Sequence, residues 1–420
     1  MIQQALNKLY SLHTFGIKLG LDNIKGFLKH LDNPQKMIRT FHVAGSNGKG
    51  STSAFIASIL MECGHKTGLY TSPHFVKFNE RILVDGLEIP DEYVAVFVEE
   101  NEKYIDDNKL TFFETTTAMA FKYFAEQNVD YAVIETGLGG RLDATNVLQP
   151  EAVIITSISL EHTNILGDTI EKIAGEKAAI IKENTKVFTG NLPEAALRVI
   201  EKKCGETGSR LFNIKDYMNI RGGEPELYTE ELEIDDWSIP LRGNYQKFNA
   251  ALAGLVVSKT LMLDNFHTVN KGIMNVVKNT GIQGRYEYYR KKPDIIFDSA
   301  HNTEGVENFL KEFEKDSNIY NKKVLLFGAM KDKSIKEMLT LLRENFDEIH
   351  ITQIDYERAC SIEELSKIAG EIGLRTIPEI NLSEFILKFE SLNNNDCLVV
   401  LGSMYLLGAV KSSLRLGNIA

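Results

Sequence analysis

Residues 39–63 read RTFHVAGSNGKGSTSAFIASILMEC, and their order decides the fold. RTFHVA (39–44) is a short β-rich run. A glycine turn follows, and STSAFIASILMEC reads as a helix from about residue 51. The turn holds Gly45, Ser46, Asn47, Gly48, Lys49, Gly50, Ser51 and Thr52. Its glycines let the backbone approach phosphate oxygens and aim N–H groups at them. Lys49 adds a point charge toward β- and γ-phosphates, Ser51 or Thr52 offers a hydroxyl to Mg²⁺, and the helix N-terminus adds its dipole. The general pattern GxxxxGK[ST] is not strictly met. Val43 stands where its first glycine would be, and Gly50 separates Lys49 from Ser51. A glycine turn without a ligand is the other reading, and the strand–turn–helix context argues against it. The loop alone does not separate kinase, GTPase, ATPase and ligase.

Outward from this unit, the same alternation continues. DYAVIE (130–135) and AVIITS (152–157) are further strand candidates, and ETTTAMAFKYFAEQ (114–127) fits a helix with one apolar face. Strands alternating with helices predict an α/β domain around a mostly parallel sheet. Residues 205–243 differ, with GETGSR, RGGEPE, the acidic TEELEIDDW and PLRGN predicting short antiparallel strands and turns. A helix resumes at QKFNAALAGLVVSKTLM (246–262). From residue 294 the alternation restarts. DIIFDSA, KKVLLFGAM, EIHITQI and CLVVLG are strand candidates, and TEGVENFLKEFEK and SIEELSKIAGEIG are helical stretches. The charged YRKKPD segment (289–294) suggests a boundary, giving domains 1–288 and 289–420. The second is a smaller, Rossmann-like α/β domain.

Composition narrows the class. The 420 residues carry 47 Lys+Arg against 58 Asp+Glu, a net charge of −11, which argues against a nucleic-acid-binding face or a basic membrane-surface protein. The 43% hydrophobic and 25% charged shares are those of a globular protein with a sizeable core. The start, MIQQALNKLYSLHTFG, lacks the apolar core and cleavage site of a secretory signal, and no apolar run is long enough for a bilayer. Cys63, Cys204, Cys360 and Cys397 are far apart and form no CxxC pair, so neither a zinc site nor a disulfide framework is expected. The expectation is a reduced, cytoplasmic enzyme.

GSNGKGST after HVA resembles the ATP loop of the Mur ligase superfamily, and within it most closely the folylpolyglutamate synthase/dihydrofolate synthase family. The resemblance runs through LGLDNI and LDNPQ upstream. It continues in TSPHFVKFNERI (71–82), TFFETTTAMAF (111–121), ETGLGGRLDATN (135–146), EHTNILGDTIEKIAGEKAAIIK (161–182), DSAHN (298–302) and GAMKDK (328–333). The acidic middle and the rest of the last third resemble it weakly. The implied fold is a Mur-type central domain followed by the Rossmann-like domain. The implied activity is ATP-dependent addition of L-glutamate to a pteroate or folate carboxylate through an acyl phosphate.

The same resemblance implies residue roles. Ser51, Ser72 and Glu135 would hold a first Mg²⁺, and His162 with a CO₂-carbamylated Lys177 would hold a second. A monovalent cation also belongs to the implied set. By position alone, Glu135 reads equally as a solvated carboxylate at a strand end, and Lys177 as a helix-surface lysine. Glu161 replaces the family's usual Asp before His162, and Ala179 its usual Gly. ATP would also meet Asn249, Arg285, Asp298 and His301, with Lys49, Lys177, His162 and Arg285 forming the catalytic set. Tyr245 stands where the family has His. The acceptor would lie between the domains, against Leu19, Gly20, Leu21, Asp22, Phe113, Glu114, Thr115, Thr116, Gly140, Arg141 and Leu142, with Asp143 near them. Asp332 and Lys333 receive no role. ETGLGGR has the wrong spacing for a dinucleotide fingerprint. The expected partners are ATP, L-glutamate and dihydropteroate or a reduced folate, with no nucleic acid or membrane, in a monomer. Another Mur-type ligase acting on a cell-wall nucleotide is an alternative. The pteroate-side motifs oppose it, as do the roughly 38 residues before the loop strand, too few for a separate sugar-nucleotide domain. A nucleotide switch, indifferent to glutamate and folate, is the alternative from another class.

Overall fold

In β1 (Arg39–Ala44) every residue after the first is buried, as a strand covered on both sides of a parallel sheet must be. The computed structural model describes residues 2–12, 20–221, 224–228, 233–234, 239–392 and 394–417. The other strands of the first sheet are β2 (Thr67–Tyr70), β3 (Ile82–Val84), β4 (Leu87–Glu88), β5 (Tyr131–Glu135), β6 (Ala152–Ile155), β7 (Lys186–Thr189) and β8 (Arg210–Asn213). Their order is β4-β3-β2-β5-β1-β6-β7-β8. Two of its pairs, β2–β3 and β3–β4, are antiparallel and the others are parallel. The sheet is therefore mostly parallel, as the alternation predicts.

The middle region departs from the expectation. Helix Glu194–Thr207 leads into β8, which pairs parallel with β7, so residues 205–213 complete one more parallel unit. GETGSR is thus a helix end and strand start. Gly208 takes the left-handed φ of +64° at the helix C-terminus, a position where glycine avoids a Cβ clash. Antiparallel pairing begins only afterwards, in the small sheet β11-β10-β9 formed by β9 (Met218–Arg221), β10 (Glu224–Tyr228) and β11 (Glu233–Ile234). Much of TEELEIDDW lies outside the described residues.

The helix after the phosphate loop, Lys49–Glu62, begins two residues earlier than expected and is buried continuously from Ser51 to Leu60. Such a helix needs cover on every side. One side is closed by helix Phe266–Met274, where a Cβ on Gly272 would come within 2.5 Å of Ile59 Cα. Ser58 Oγ donates to the Gly272 carbonyl. At the far end Glu62 takes hydrogen bonds from Asn275 and Asn279 and an ion pair from Lys271. Beyond β5 and β2, helices Asp22–His30, Asp91–Asp107 and Phe112–Glu126 share one apolar core containing Phe27, Phe97 and Phe121.

The chain divides into two compact units. The first is Met1–Pro73, Phe78–Pro240 and Gln246–Ile282, and the second is His74–Lys77, Leu241–Tyr245 and Gln283–Ala420. The two short segments of the second unit were not foreseen by a single cut at 288/289. Its sheet comprises β12 (Glu287–Arg290), β13 (Asp294–Phe297), β14 (Lys323–Phe327), β15 (Glu348–Ile351), β16 (Ile377–Pro378) and β17 (Cys397–Leu401), in the order β12-β13-β17-β14-β15-β16. All its pairs except β12–β13 are parallel. Among the described residues no helix is long and apolar enough to cross a membrane.

Candidate active site

The centre of the first sheet places the phosphate loop. β1 lies between β5 and β6, with Val43 beside Glu135 and Ala44 beside Ile155. The chain leaves all three strands at their carboxyl ends, where ligands of parallel sheets bind. The loop is held by the segment after β6. Ser46 N–H donates to Ser157 O at 2.9 Å, and Asn47 N–H to Ser157 Oγ at 2.8 Å. Thr156 Oγ donates to Asn47 O at 2.6 Å, and Ser159 N–H to Ser46 Oγ at 3.0 Å. These three residues were missed in the sequence. The signal was the hydroxyl run TSIS at the end of an otherwise apolar strand.

Two loop glycines are fixed by space. A Cβ on Gly45 would lie 1.9 Å from Thr156 Oγ, and one on Gly48 would lie 2.6 Å from Asn249 Oδ1. Gly48 also has φ +82°, at the N-terminus of the following helix. Asn249, on helix Asn244–Leu261, therefore sits against the loop, 3.5 Å from the Thr52 hydroxyl. Its amide donates to Gln246 Oε1 at 3.1 Å, and the buried Gln246 Nε2 has no hydrogen-bond partner among the described residues.

Charge gathers at Gly45. Lys49 Nζ donates to Gly45 O at 2.9 Å and to Ser46 O at 3.2 Å. Lys177 Nζ donates to the same Gly45 carbonyl at 2.9 Å and to Glu161 Oε1 at 2.8 Å. Lys177 is 1% exposed, so it is not a helix-surface lysine. Burial lowers its pKa; Glu161 works against that shift and Lys49 with it. Burial would raise the Glu161 carboxyl, but Lys177 and Lys49 reverse this and hold it at about 2. His162 follows directly with φ +44°, heading the short helix Thr163–Leu166.

Glu135 is 4% exposed at the end of β5, and its Oε2 accepts from Ser72 N–H at 3.1 Å. A buried carboxylate one strand from the phosphate loop is the oxygen chemistry that Mg²⁺ prefers. Among the described residues no group of three or more His, Cys, Asp or Glu gathers into a metal cluster.

The expected acceptor residues fall into distinct roles. Leu19 lies outside the described residues. Leu21 precedes helix Asp22–His30 and packs, like Phe113, on the core shared with helix Phe112–Glu126. Phe113 faces Gly137, where a Cβ would meet its ring at 2.5 Å. Glu114 is buried in a capping box: Oε2 accepts from Thr111 N–H at 2.8 Å and its own N–H donates to Thr111 Oγ. Thr115 is buried and donates to Thr111 O, and Thr116 donates to Phe113 O. Gly140 packs on the carbonyl of Glu176, whose side chain pairs with Arg141 at 2.9 Å. The segment Gly140–Leu142 is thereby pinned to the helix that carries Lys177. Asp143 accepts from Gly137 and Leu138 N–H through one oxygen and from Thr145 through the other. Its carboxylate shapes the glycine loop. Thr145 continues to His42 Nε2 on β1 at 2.8 Å, another link not visible in the sequence.

In the second unit Asp298 accepts from Tyr286 N–H at 2.7 Å and Ala300 N–H at 2.8 Å. Burial raises its pKa, tempered by those two N–H groups and by Arg285. Arg285 donates to Gly284 O at 3.1 Å, and His301 Nδ1 lies 2.9 Å from Ser299 O. Asn302 caps helix Thr303–Asp316 through Gly305 N–H.

Residues 43–257 match the family described as Mur ligase middle domain, and residues 284–404 the family described as Mur ligase, glutamate ligase domain. The chain is 36% identical to the dihydrofolate synthase/folylpolyglutamate synthase of Bacillus subtilis, covering 98% of this chain and 99% of that protein. Its fold is similar to that of Mycobacterium tuberculosis folylpolyglutamate synthase complexed with ADP and AMPPCP. There the TM-score is 0.86 at 28% identity, over 97% of this chain and 98% of the other. A bifunctional folylpolyglutamate synthase/dihydrofolate synthase with Mn, AMPPNP and L-glutamate bound gives 0.84 at 26%, over 97% of each chain.

Proposed function

The chain belongs to the dihydrofolate synthase/folylpolyglutamate synthase family of Mur ligases, and we infer from the site how it carries out the reaction. It is an ATP-dependent ligase that joins glutamate to a folate-type carboxylate. The observation that carries the reading is the buried Glu135 beside a glycine loop built for phosphate, with Lys49 at its tip.

A carboxylate is a poor electrophile toward an amine in water. Phosphorylation removes that obstacle. A carboxylate oxygen of the acceptor attacks the γ-phosphorus of ATP, and the bond to the ADP oxygen breaks. The neutral amine of glutamate then attacks the acyl carbon, phosphate leaves, and the nitrogen loses a proton. No protein nucleophile is required, so this chain's own groups bind and neutralise charge. Lys49, released from the Gly45 and Ser46 carbonyls, turns to the phosphates. Arg285, Asn249, Asp298 and His301 complete the nucleotide set.

Ser51, Ser72 and Glu135 would hold one Mg²⁺. His162 and Lys177 would hold a second, with Lys177 as the carbamate, since an ammonium paired to Glu161 is no ligand. Burial and Lys49 both favour the neutral amine that CO₂ requires. Magnesium held there would screen the crowded phosphate charge. The family name covers both dihydropteroate and reduced folates as acceptors, and we propose that this enzyme takes both.

The test is phosphate release from ATP with Mg²⁺ and glutamate, comparing dihydropteroate with tetrahydrofolate, products checked by mass. Release with both, each product one glutamyl heavier, supports the bifunctional reading. Release with one narrows it. No acceptor-dependent release with either overturns it in favour of another Mur-type ligase.

A further inference from the structure

Arg285 sits in a turn whose backbone is clamped on both sides. Gly284 has φ +64° and Tyr286 has φ +48°, so the residues before and after Arg285 are both left-handed. A non-glycine residue holds that conformation only when its surroundings impose it. The surroundings here are two carboxylates. Glu287 Oε2 accepts from Gly284 N–H at 2.6 Å, and Asp298 Oδ2 accepts from Tyr286 N–H at 2.7 Å. The Gly284 carbonyl accepts from both Ser299 N–H and the Arg285 guanidinium.

Glu287 is in turn fixed by Lys411, on helix Met404–Gly417. Lys411 Nζ lies 2.9 and 2.7 Å from the two Glu287 oxygens and 2.6 Å from Gln283 Oε1. The ammonium is 9% exposed at its side chain, between the rings of Phe75 and Phe297. Phe75 also fills the space beside Gly284, where a Cβ would meet its ring at 2.6 Å. One cation near the chain's last helix thus ties down both ends of the Gln283–Glu287 turn. Nothing in the sequence ties a lysine in AVKSSL to an arginine in QGRYE.

We propose that the Lys411–Glu287 pair positions Arg285 for the nucleotide phosphates. Lys411 is a positioning residue: it acts on catalysis only through the backbone that carries Arg285. This rests on the nucleotide-contacting reading of Arg285 given above. Two anchored N–H groups fix the direction in which the Arg285 side chain leaves the main chain. Losing one of them lets the guanidinium wander by an ångström or more, which costs an order of magnitude or two in rate.

The test is a mutant cycle in the full-length enzyme. Lys411→Met keeps the apolar stem between the two rings and removes the charge. It is expected to lower kcat/KM for ATP by about tenfold, with KM for glutamate unchanged. In an Arg285→Ala background the same change is expected to cost less than about twofold, because the residue it positions is gone. Glu287→Gln, which can still accept from Gly284 N–H, is expected to retain more activity than Glu287→Ala, and it carries the test if Lys411→Met does not fold. Losses that multiply in the double variant overturn the proposal, as does an unchanged kcat/KM in Lys411→Met. If Arg285→Ala alone leaves kcat/KM unchanged, the nucleotide reading of Arg285 fails first and takes the proposal with it.

Discussion

Lys177 Nζ and Glu161 Oε1 lie 2.8 Å apart, with side chains only 2% and 9% exposed, and the lysine reaches the Gly45 carbonyl from the other side. A buried pair of this kind is costly to break from one side, because the remaining charge has no water to turn to. Glu161→Gln is expected to destabilise the protein by about 3 kcal/mol at pH 7. The pH dependence has a fixed sign. Burial already lowers the Lys177 pKa from 10.5, and loss of Glu161 lowers it further. Between the folded and unfolded values the unfolded chain binds a proton that the folded chain refuses, so stability falls as pH drops through that window. Urea unfolding at pH 7 and pH 9 should show the smaller deficit at pH 9. An equal deficit at both would contradict the account.

His42 offers a second titration. Burial, and to a smaller extent Lys182, hold its imidazole at about 3, against 6.5 in an open chain. The folded ring therefore stays neutral, and its contribution to stability is intact above pH 6.5 and lost as pH falls toward 3. At about 1.4 kcal/mol per unit, roughly 2 kcal/mol is gone by pH 5. His42→Gln should flatten the stability profile between pH 7 and pH 5. The ring resonances of the parent should show no protonation at pH 5; a midpoint near 6.5 would refute the reading.

Gly48 is constrained twice, by φ +82° and by Asn249 Oδ1 2.6 Å from a Cβ. Gly48→Ala is expected to raise KM for ATP about tenfold, since left-handed backbone costs a side chain roughly 1–2 kcal/mol. Asn249→Ala in the same chain opens the space but leaves the backbone strain. Steady-state kinetics on the double variant should therefore show no recovery, and full recovery would assign the whole effect to crowding.

Glu114 tests where the acceptor motif ends and the scaffold begins. Its carboxylate completes a helix cap with Thr111. Thr111→Ala should cost about 1 kcal/mol of stability. Glu114→Gln keeps an acceptor for Thr111 N–H, and its KM for the folate substrate is expected to change less than about twofold. A large rise in KM with unchanged stability would assign Glu114 to the acceptor site.

The phosphate loop was legible because everything it needs is local: a strand, glycines at fixed offsets, a lysine and a helix start. The parallel sheet was legible for the same reason, its strands being short apolar runs between turn residues. What failed was the reading of GETGSR, whose glycines look like a hairpin but serve a helix end before β8. The carboxylates divide along similar lines. Asp143, Asp298 and Glu114 stand in loops or at a helix start, as ligand-binding groups do, and each accepts from nearby backbone N–H groups and, for two of them, a threonine hydroxyl. Sequence position cannot tell an acid that meets a ligand from one that shapes the loop beneath it. Nor could spacing bring Ser157 to Asn47 or Lys411 to Glu287, since those pairings exist only after the sheet or the last helix has formed.

Gly272 lies more than two hundred residues after the phosphate loop, yet its missing side chain lets helix Phe266–Met274 sit against Ile59 in the helix that the loop begins. Mutational tolerance follows from that contact. A methyl group at 272 would meet main chain, which cannot swing aside, so even alanine displaces the loop helix or the helix that braces it. In a library selected for nucleotide binding, this position should be as intolerant as the loop glycines themselves, although it lies on a different helix.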